Sequence, residues 1–288
     1  MVISVASGKG GTGKTTIATS LALSFDGGVQ FLDCDVEEPN AHIFMKPVIK
    51  EITKAFIPVP DFDKSKCNYC GICRKVCEYN AIAVLPPGET TDGNLMFFAP
   101  LCHGCGACSY LCPNQAIKEV AREIGVVETG DASGIEFVHG RLNIGEAMAP
   151  PLIRKVKEYI DTSKTVIIDV PPGTSCPVVV SLRNCDFCIL VTEPTPFGLN
   201  DLVLAVEVLR KLAIPFGVVL NRSDLGNVET ENYCANEGIP ILMKVPFDEN
   251  IASAYAQGIP LVEVLSEYRK YFLQLFGRIN DIAIRKKQ

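Results

Sequence analysis

The sequence lacks any apolar run of the ~18 or more residues that a membrane-spanning helix needs. It also lacks a charged segment ahead of its apolar start, so Met1–Ala6 indicates a buried first strand rather than a signal peptide. Its basic residues, 27 Lys and Arg against 33 Asp and Glu, form no concentrated stripe. These absences disfavour membrane association and sequence-independent nucleic-acid binding, and we expect a soluble, cytoplasmic protein.

Cysteine, in contrast, is abundant, with 13 residues in a chain of 288. Hydrophobic residues make up 48% of the sequence, which is enough for a sizeable core without disulfide bonds. In a chain without a leader, cysteines more often hold metal than form disulfides. We therefore expect metal ligation in the cysteine-rich part of the sequence.

The character of the sequence changes twice along the chain. Residues 1–55 and 121–288 alternate strand and helix patterns, which is typical of a doubly wound α/β domain with a mostly parallel sheet. Residues 56–120 contain eight cysteines, several Pro and Gly, and only short apolar runs. We interpret this block as a small α+β domain inserted into a single α/β domain.

The α/β parts contain several clear element patterns. Strands are predicted at Val29–Leu32, Thr165–Val170, Phe187–Thr192 and Phe216–Leu220, and helices at Thr15–Phe25, Asn200–Leu212 and Leu261 to about Arg285. An apolar stripe on the last helix favours packing against the sheet. The basic tail Arg285-Lys286-Lys287 keeps a membrane-targeting helix as the alternative.

A glycine-rich loop follows the first strand and precedes the first helix. It fits the P-loop pattern over Gly8, Lys9, Gly10, Gly11, Thr12, Gly13, Lys14 and Thr15, with Thr16 next. In such a loop the backbone N–H groups wrap the phosphates, Lys14 contacts the outer phosphates, and the Thr15 hydroxyl binds Mg²⁺. The pattern predicts a site for ATP and Mg²⁺.

Lys9 is a second lysine at the start of this loop, and it marks the deviant form of the P-loop. Here the sequence resembles the MinD/ParA group, which includes the nitrogenase iron protein and Mrp-type ATPases. The resemblance implies a slow ATPase that forms an ATP-sandwich dimer, with Lys9 reaching the nucleotide of the other subunit. The dimer would be a homodimer or a heterodimer with a paralogous ATPase.

Other landmarks of this group recur in order along the chain. The resemblance implies that Asp35 positions the attacking water or senses the γ-phosphate, and that Asp169 holds the Mg²⁺ shell through water. It also implies that Asn221 and Arg222 lie at the adenine edge and that Pro246 passes near the base. Each aspartate alone could be an ordinary carboxylate at a strand end. Their order, at the ends of predicted strands where α/β sheets place ligands, favours the functional interpretation.

The cysteine block repeats the spacing of bacterial two-cluster ferredoxins. In that spacing the fourth cysteine of each run ligates the other cluster. The predicted ligand sets are Cys67, Cys70, Cys73 and Cys112 for one [4Fe–4S] cluster, and Cys102, Cys105, Cys108 and Cys77 for the other. A zinc site is the alternative, but zinc sites usually pair two Cys-x2-Cys units, whereas here three cysteines share each run.

Three further features of the block predict details of its structure. An Ala-Ile pair follows each run, at Ala81-Ile82 and Ala116-Ile117, and we expect it to pack beside the clusters. The stretch from Glu78 to Leu101 is longer than a minimal ferredoxin needs, which predicts an extra hairpin. His103 lies inside the second run and is predicted to form hydrogen bonds or face the surface rather than to ligate metal.

The remaining five cysteines lie outside the two runs and are not predicted to be cluster ligands. Cys34, Cys185, Cys188 and Cys234 are expected to be thiols in or near the core. Cys176 lies seven residues after Asp169, where the nitrogenase iron protein has a cluster ligand, but the second cysteine that such a cluster needs is missing from residues 140–151. The Cys-Pro-x-Cys pair of Mrp-type scaffolds is also missing, which disfavours a labile-cluster scaffold.

Three hypotheses for function follow. The first is an ATPase that couples a nucleotide-driven conformational change to electron transfer with a redox partner. The second is an ATP-dependent factor that delivers or matures a metal centre on a client protein. The third is a MinD-like positioning ATPase whose clusters are structural. The whole chain resembles MinD-superfamily ATPases with an inserted ferredoxin domain, and this resemblance favours the first.

Overall fold

The structure, a computed structural model, describes residues 1–285. The tail residues Lys286 and Lys287 lie outside this range, so the alternative that rests on them stays a prediction. The described chain divides into two compact units. The first, the ATPase unit, comprises residues 1–52 and 127–141 and the described residues from 153 onward. The second, the cysteine unit, comprises residues 53–126 and 142–152.

The described chain forms strands in both units. Their bounds are β1 Val2–Ala6, β2 Val29–Asp33, β3 Val48–Phe62, β4 Ile82–Leu85, β5 Asn94–Phe97, β6 Ile117–Ala132, β7 Ile135–Leu142, β8 Thr165–Asp169, β9 Phe187–Thr192, β10 Phe216–Asn221 and β11 Ile241–Val245. The four strands predicted after the first agree with β2, β8, β9 and β10 within a residue at each end.

Helices connect most of these strands. Their bounds are α1 Lys14–Leu23, α2 Ala41–Met45, α3 Ile72–Lys75, α4 Ala107–Tyr110, α5 Ala149–Lys157, α6 Cys176–Leu182, α7 Pro196–Lys211, α8 Glu229–Asn236, α9 Glu249–Ala256, α10 Leu261–Val264 and α11 Glu267–Arg285. The predicted last helix is therefore two helices, because residues 265–266 leave the helical conformation between α10 and α11.

The large sheet has nine strands in the order β11-β10-β9-β1-β8-β2-β7-β6-β3. The pairs from β11 through β7 are parallel. Strands β1, β2, β8 and β9 are buried almost throughout, as expected for parallel strands covered on both faces. The prediction of a doubly wound, mostly parallel α/β sheet is confirmed.

The core of the ATPase unit lies on this sheet. Phe31 and Phe137, on the neighbouring strands β2 and β7, are fully buried, and their rings stack with centroids 5.9 Å apart. Helix α11 contributes Phe272, Leu275 and Ile279 to the same cluster. The prediction that the last helix packs against the sheet is confirmed. In the described residues no helix is long and apolar enough to cross a membrane.

The cysteine unit contains the two cysteine runs and a hairpin between them. Strands β4 and β5 pair antiparallel, with Ile82 opposite Phe97, so the extra hairpin predicted between residues 78 and 101 is confirmed. Each run contains a single helical turn, α3 or α4, preceded by a glycine with positive φ, Gly71 or Gly106. The unit also contains residues 142–152, which the predicted block of residues 56–120 did not include.

Candidate nucleotide site and cysteine cavities

The glycine-rich loop connects β1 to α1 at the carboxyl end of the parallel strands. Gly11 and Gly13 have φ values of 79° and 89°, which other residues rarely adopt. Gly13 has a second constraint, because an added Cβ would lie 2.4 Å from Nδ2 of Asn221. The loop therefore needs glycine for both its turn and its close packing, and it presents the N-terminus of α1 to the space above it.

A cavity of about 430 Å³ opens over this loop. Its walls include most of the predicted nucleotide residues, namely Gly10, Gly11, Gly13, Lys14, Thr15, Thr16, Asp35, Asn221, Arg222 and Pro246. Gly8, Lys9 and Thr12 belong to the loop but do not line the cavity. Gly8 instead packs against the backbone of Asp201, and Thr12 is buried.

Lys14 and Thr15 converge on the carboxylate of Asp169. Lys14 Nζ lies 2.6 Å from Oδ1 and the Thr15 hydroxyl donates to Oδ2 at 2.7 Å, while Lys14 also lies 3.5 Å from Asp35. Burial alone would lower the pKa of Lys14, but the carboxylates of Asp169 and Asp35 outweigh it and raise the pKa. The Lys14 ammonium therefore lies between two carboxylates, of which Asp35 lines the cavity and Asp169 is completely buried and does not line it.

Asp33 is the last residue of β2, and Asp35 follows two residues later. Burial raises the pKa of Asp35 to about 6, against the opposing effect of Lys14. Burial and the charge of Asp169 raise the pKa of Asp33 to about 8. Asp33 accepts hydrogen bonds from the backbone N–H groups of Asp35, at 3.0 Å, and Ala41, at 3.1 Å. It thereby fixes the segment that carries Asp35.

The sequence did not assign a role to Asp33. Its only signal was the position at the end of an apolar strand, which is shared by many ordinary carboxylates. Complete burial distinguishes it from them, because a buried carboxyl group needs partners such as these two N–H donors. Burial depends on the neighbouring strand β8 and could not be inferred from the local sequence.

Asn221 and Arg222 lie at the opposite side of the loop, at the end of β10. The Asn221 side chain donates to the Thr12 carbonyl at 2.9 Å, which ties β10 to the loop. Arg222 adopts a positive φ of 49° and pairs with Glu193 at 2.6 Å. Both residues still contribute to the cavity wall.

A further wall of the cavity was predicted only at its start, where the resemblance implies that the segment Val245-Pro246-Phe247-Asp248 passes near the base. It consists of residues after β11 and on helix α9, namely Phe247, Asp248, Ile251, Ala252 and Tyr255, together with Leu261 of α10. Asp248 begins α9 by accepting a hydrogen bond from the Asn250 N–H at 2.7 Å. The residues of α9 and α10 were not predicted because they form no recognisable motif, and only the direction of the chain after Asp248 brings them to the cavity.

The cysteine unit has two smaller cavities, and each is lined by four cysteines. The first, the Cys67 cavity, is lined by Cys67, Cys70, Cys73 and Cys112, and the second, the Cys102 cavity, by Cys77, Cys102, Cys105 and Cys108. In both cavities three cysteines come from one run and the fourth from the other. These are the sets that the ferredoxin spacing predicts.

The thiols line these spaces rather than meeting at a point. Among the described residues, no three His, Cys, Asp or Glu side chains are placed to hold one metal ion. Burial raises the pKa of Cys73, and the charges of Cys67, Cys70 and Cys112 raise it further, which reflects the proximity of the four thiols. A zinc ion needs four ligands at about 2.0–2.3 Å from one centre. Thiols spread around a cavity fit a multi-iron cluster better.

Two buried Ala-Ile pairs close these cavities, as expected. Ala116 and Ile117 line the Cys67 cavity, and Ala81 and Ile82 line the Cys102 cavity. The backbone N–H of Ala81 donates to Cys77 Sγ, and that of Ala116 to Cys112 Sγ, both at 3.3 Å. The matching contacts show that the two runs fold alike.

The other cysteines lie in the ATPase unit. Cys34, Cys188 and Cys234 are buried and Cys185 is partly buried, which agrees with their predicted packing role. Burial raises the pKa of Cys188 to about 12, so its thiol is inert at neutral pH. Cys176 is exposed at the start of α6.

Relatives of this chain include proteins of archaea. An uncharacterized protein of Methanocaldococcus jannaschii is 32% identical over 265 residues, which cover 90% of each chain. A protein of Pyrococcus horikoshii named iron-sulfur cluster carrier protein is 25% identical over 284 residues, covering 90% of this chain and 78% of its own.

The fold of the chain has known counterparts as well. The septum site-determining protein MinD from Pyrococcus horikoshii, solved with Mg-ADP, matches with a TM-score of 0.58 at 20% identity and covers 98% of this chain and 96% of its own. The family model of the CobQ/CobB/MinD/ParA nucleotide binding domain matches residues 3–261, which include the loop and the cavity above it. This chain therefore belongs to the CobQ/CobB/MinD/ParA nucleotide-binding family and is a P-loop ATPase.

Proposed function

We propose that this ATPase carries two [4Fe–4S] clusters and couples an ATP-driven conformational change to electron transfer with a redox partner. The observation that carries the proposal is the sorting of eight cysteines into two sets, each lining its own cavity. Sets that exchange their fourth member are characteristic of two-cluster ferredoxins. The same chain has a nucleotide cavity in its ATPase unit.

The residues around both cysteine cavities fit a cluster. When bound, the clusters would supply one-electron redox chemistry. The thiolates of each set would ligate iron, and the N–H donors of Ala81 and Ala116 would stabilise the negative sulfurs of Cys77 and Cys112. The apolar Ala-Ile walls would limit the access of water.

The nucleotide cavity supports the roles that the resemblance implies. Lys14 would contact the outer phosphates, Thr15 and Asp169 would hold Mg²⁺, and Asp35 would position the attacking water. Asn221, Arg222 and Pro246 would border the adenine. Catalysis in this arrangement is positioning and electrostatic stabilisation, which fits a slow enzyme that uses hydrolysis to change conformation.

The segment from Asp35 to β3 could couple the nucleotide cavity to the cysteine unit. Asp33 holds the N–H of Ala41, the first residue of α2, and therefore links the Asp35 segment to that helix. Helix α2 ends with Lys46 in a left-handed conformation, and strand β3 then leads from the ATPase unit into the cysteine unit. A nucleotide-dependent movement at Asp35 would thus reach the cysteine unit through a short segment.

A metal-centre maturation factor is the second candidate, because relatives of this chain include a protein named iron-sulfur cluster carrier protein. In that case clusters would be cargo and would leave the protein readily. The Cys-Pro-x-Cys pair of the Mrp-type scaffolds has no counterpart between Asn221 and Val245, where Cys234 alone occurs and is buried. This favours the electron-transfer proposal.

The test is an anaerobic measurement of iron and sulfide, followed by EPR of the dithionite-reduced protein without nucleotide, with Mg-ADP and with Mg-ATP. We expect about eight irons per chain, as two [4Fe–4S] clusters require, and signals that change with Mg-ATP. Transfer of iron to an apo-ferredoxin in the presence of an iron chelator would indicate the maturation factor instead. Protein that takes up no iron, or signals identical in all three nucleotide states, would contradict the proposal.

A further inference from the structure

The two cysteine runs are related residue by residue. Cys67 of the first run corresponds to Cys102 of the second, an offset of 35 residues, and the same offset relates the other three cysteines of each run. It also relates Phe62, which lines the Cys67 cavity, to Phe97, which lines the Cys102 cavity. The offset therefore identifies, for many residues around one cavity, the equivalent residue around the other.

At one position of the cavity walls the two equivalent residues differ in charge. Val84 lines the Cys67 cavity, and its equivalent in the Cys102 cavity is Glu119. Val84 is buried, whereas Glu119 is exposed. Among the described residues that line the Cys67 cavity, none is charged.

The Glu119 carboxylate lies close to the second cysteine run. Its Oε1 atom would lie 2.6 Å from a Cβ added to Gly106, so the carboxylate lies directly over the backbone between Cys105 and Cys108. Glu119 also borders the shallow surface depression beside Cys105 and Tyr110. A negative charge thus lies next to two of the ligands of the Cys102 cavity.

Positively charged residues, in contrast, are found in the first cysteine run and not at the equivalent positions of the second. Helix α3 of the first run ends in Arg74 and Lys75, and the equivalent residues of α4 are Ser109 and Tyr110. Three members of the Cys67 set lie in the run with these cations. Arg122 is a cation whose charge acts on Cys102, but it is paired with Glu146. The differences at Glu119 and at Arg74 and Lys75 therefore make the Cys102 cavity the more negative of the two.

We propose that Glu119 gives the two clusters different reduction potentials, with the lower potential at the Cys102 cavity. This inference rests on the proposed function. Reduction adds one electron to a cluster, and a nearby carboxylate disfavours that added negative charge. No bond forms or breaks, and the electron comes from the external reductant. The first electron therefore resides at the Cys67 cavity. Because Glu119 is exposed, solvent and salt weaken its effect but do not reverse it.

The test is a potentiometric titration with dithionite, monitored by EPR, on the full chain after its iron and sulfide have been measured. We expect two midpoint potentials in the wild type. In Glu119→Gln the lower one rises, the higher one stays, and the gap between them narrows. The matched control is Glu89→Gln, which removes the same charge from the β4–β5 loop, lines neither cavity and leaves both potentials unchanged.

The outcomes separate this inference from the proposal on which it rests. Protein with about eight irons but a single midpoint potential for both clusters would overturn the inference alone. So would a Glu119→Gln variant whose two potentials equal those of the wild type, or in which both rise by the same amount. Protein without iron would overturn the proposed function, and the inference with it.

Discussion

Asp33 illustrates how burial alters a side chain that the sequence presents as ordinary. Its carboxyl group is completely buried at the end of β2, opposite Asp169 in the neighbouring strand β8. Burial and the charge of Asp169 raise its pKa to about 8, although Lys14 opposes the shift. A carboxyl group with this pKa is mostly protonated at neutral pH, so asparagine matches its charge and its outline. Only the Oδ1 atom of asparagine can accept a hydrogen bond, so one of the two bonds from Asp35 and Ala41 is lost at every pH.

We predict that Asp33→Asn changes the pH dependence of stability. The folded pKa lies above the unfolded value of 3.8, so the folded state binds the extra proton between about pH 4 and pH 8. The stabilisation from this group is complete below that window and is lost as the pH rises through it. Asparagine does not titrate, so the variant should become more stable relative to the wild type from pH 5 to pH 8, by at most about 1.4 kcal/mol per pH unit.

Urea unfolding at several pH values measures this difference. The matched control is Asp26→Asn, because Asp26 is 95% exposed and its removal should leave the slope of the wild type unchanged. Parallel pH curves for the wild type and Asp33→Asn would show that Asp33 is ionised in the folded protein. Its hydrogen bonds to Asp35 and Ala41 would then have to compensate a buried charge.

At the scale of elements, the sequence was informative where one local signal dominates. The apolar runs of β2, β8, β9 and β10 predicted buried parallel strands because both faces of such strands are covered. The β4–β5 hairpin followed from the length of the segment between the cysteine runs. Each of these features could be predicted because it depends on the local sequence and not on contacts with residues far away in the chain.

The long strands β3 and β6 were not predicted. Strand β3 covers Val48–Phe62, and all of its residues before Ala55 are exposed, so its first half does not have the pattern of a buried strand. It also contains Pro58 and Pro60, which normally argue against a strand. Pairing with β6 at the edge of the sheet stabilises it, and that pairing joins residues far apart in the chain. The helix α9 wall of the nucleotide cavity was missed for the same reason.

We predict that Phe272→Ala on helix α11 destabilises the ATPase unit by about 3–5 kcal/mol, because a fully buried ring leaves a cavity in the core. The neighbouring Leu273→Ala is the control, since Leu273 is 42% exposed and its truncation should cost less than about 1 kcal/mol. Urea unfolding monitored by circular dichroism gives both values. Equal losses for the two variants would contradict the packing of α11 on the sheet.

At the scale of the whole molecule, the chain combines a shared family scaffold with a local addition. The family model covers most of the chain, and the nucleotide cavity lies at the carboxyl ends of parallel strands, where this class of fold binds ligands. The cysteine unit contributes its own cavities without interrupting the order of the central strands. Function at this scale depends on whether nucleotide binding also assembles two chains.

Lys9 is the residue on which this question turns. It belongs to the P-loop but does not line the cavity of its own chain, whereas Lys14 does. Its backbone carbonyl accepts a hydrogen bond from the Ser7 hydroxyl at 2.7 Å, which fixes the start of the loop. The resemblance to the MinD/ParA group implies that the Lys9 side chain acts on a nucleotide bound by a second chain, and this stays a prediction.

We predict that Lys9→Ala prevents an ATP-dependent dimer while leaving ATP binding to the single chain largely intact. The experiment uses Asp35→Asn, in which hydrolysis should slow by about 10²–10⁴-fold because the group that positions the water is neutral. With Mg-ATP, light scattering should show a dimer for Asp35→Asn and a monomer for Lys9→Ala/Asp35→Asn. The control Glu37→Gln/Asp35→Asn, which adds an exposed change in the same segment, should form the same dimer as Asp35→Asn. A strictly monomeric Asp35→Asn protein would refute the sandwich dimer. A dimeric Lys9→Ala/Asp35→Asn protein would show that the dimer does not require Lys9.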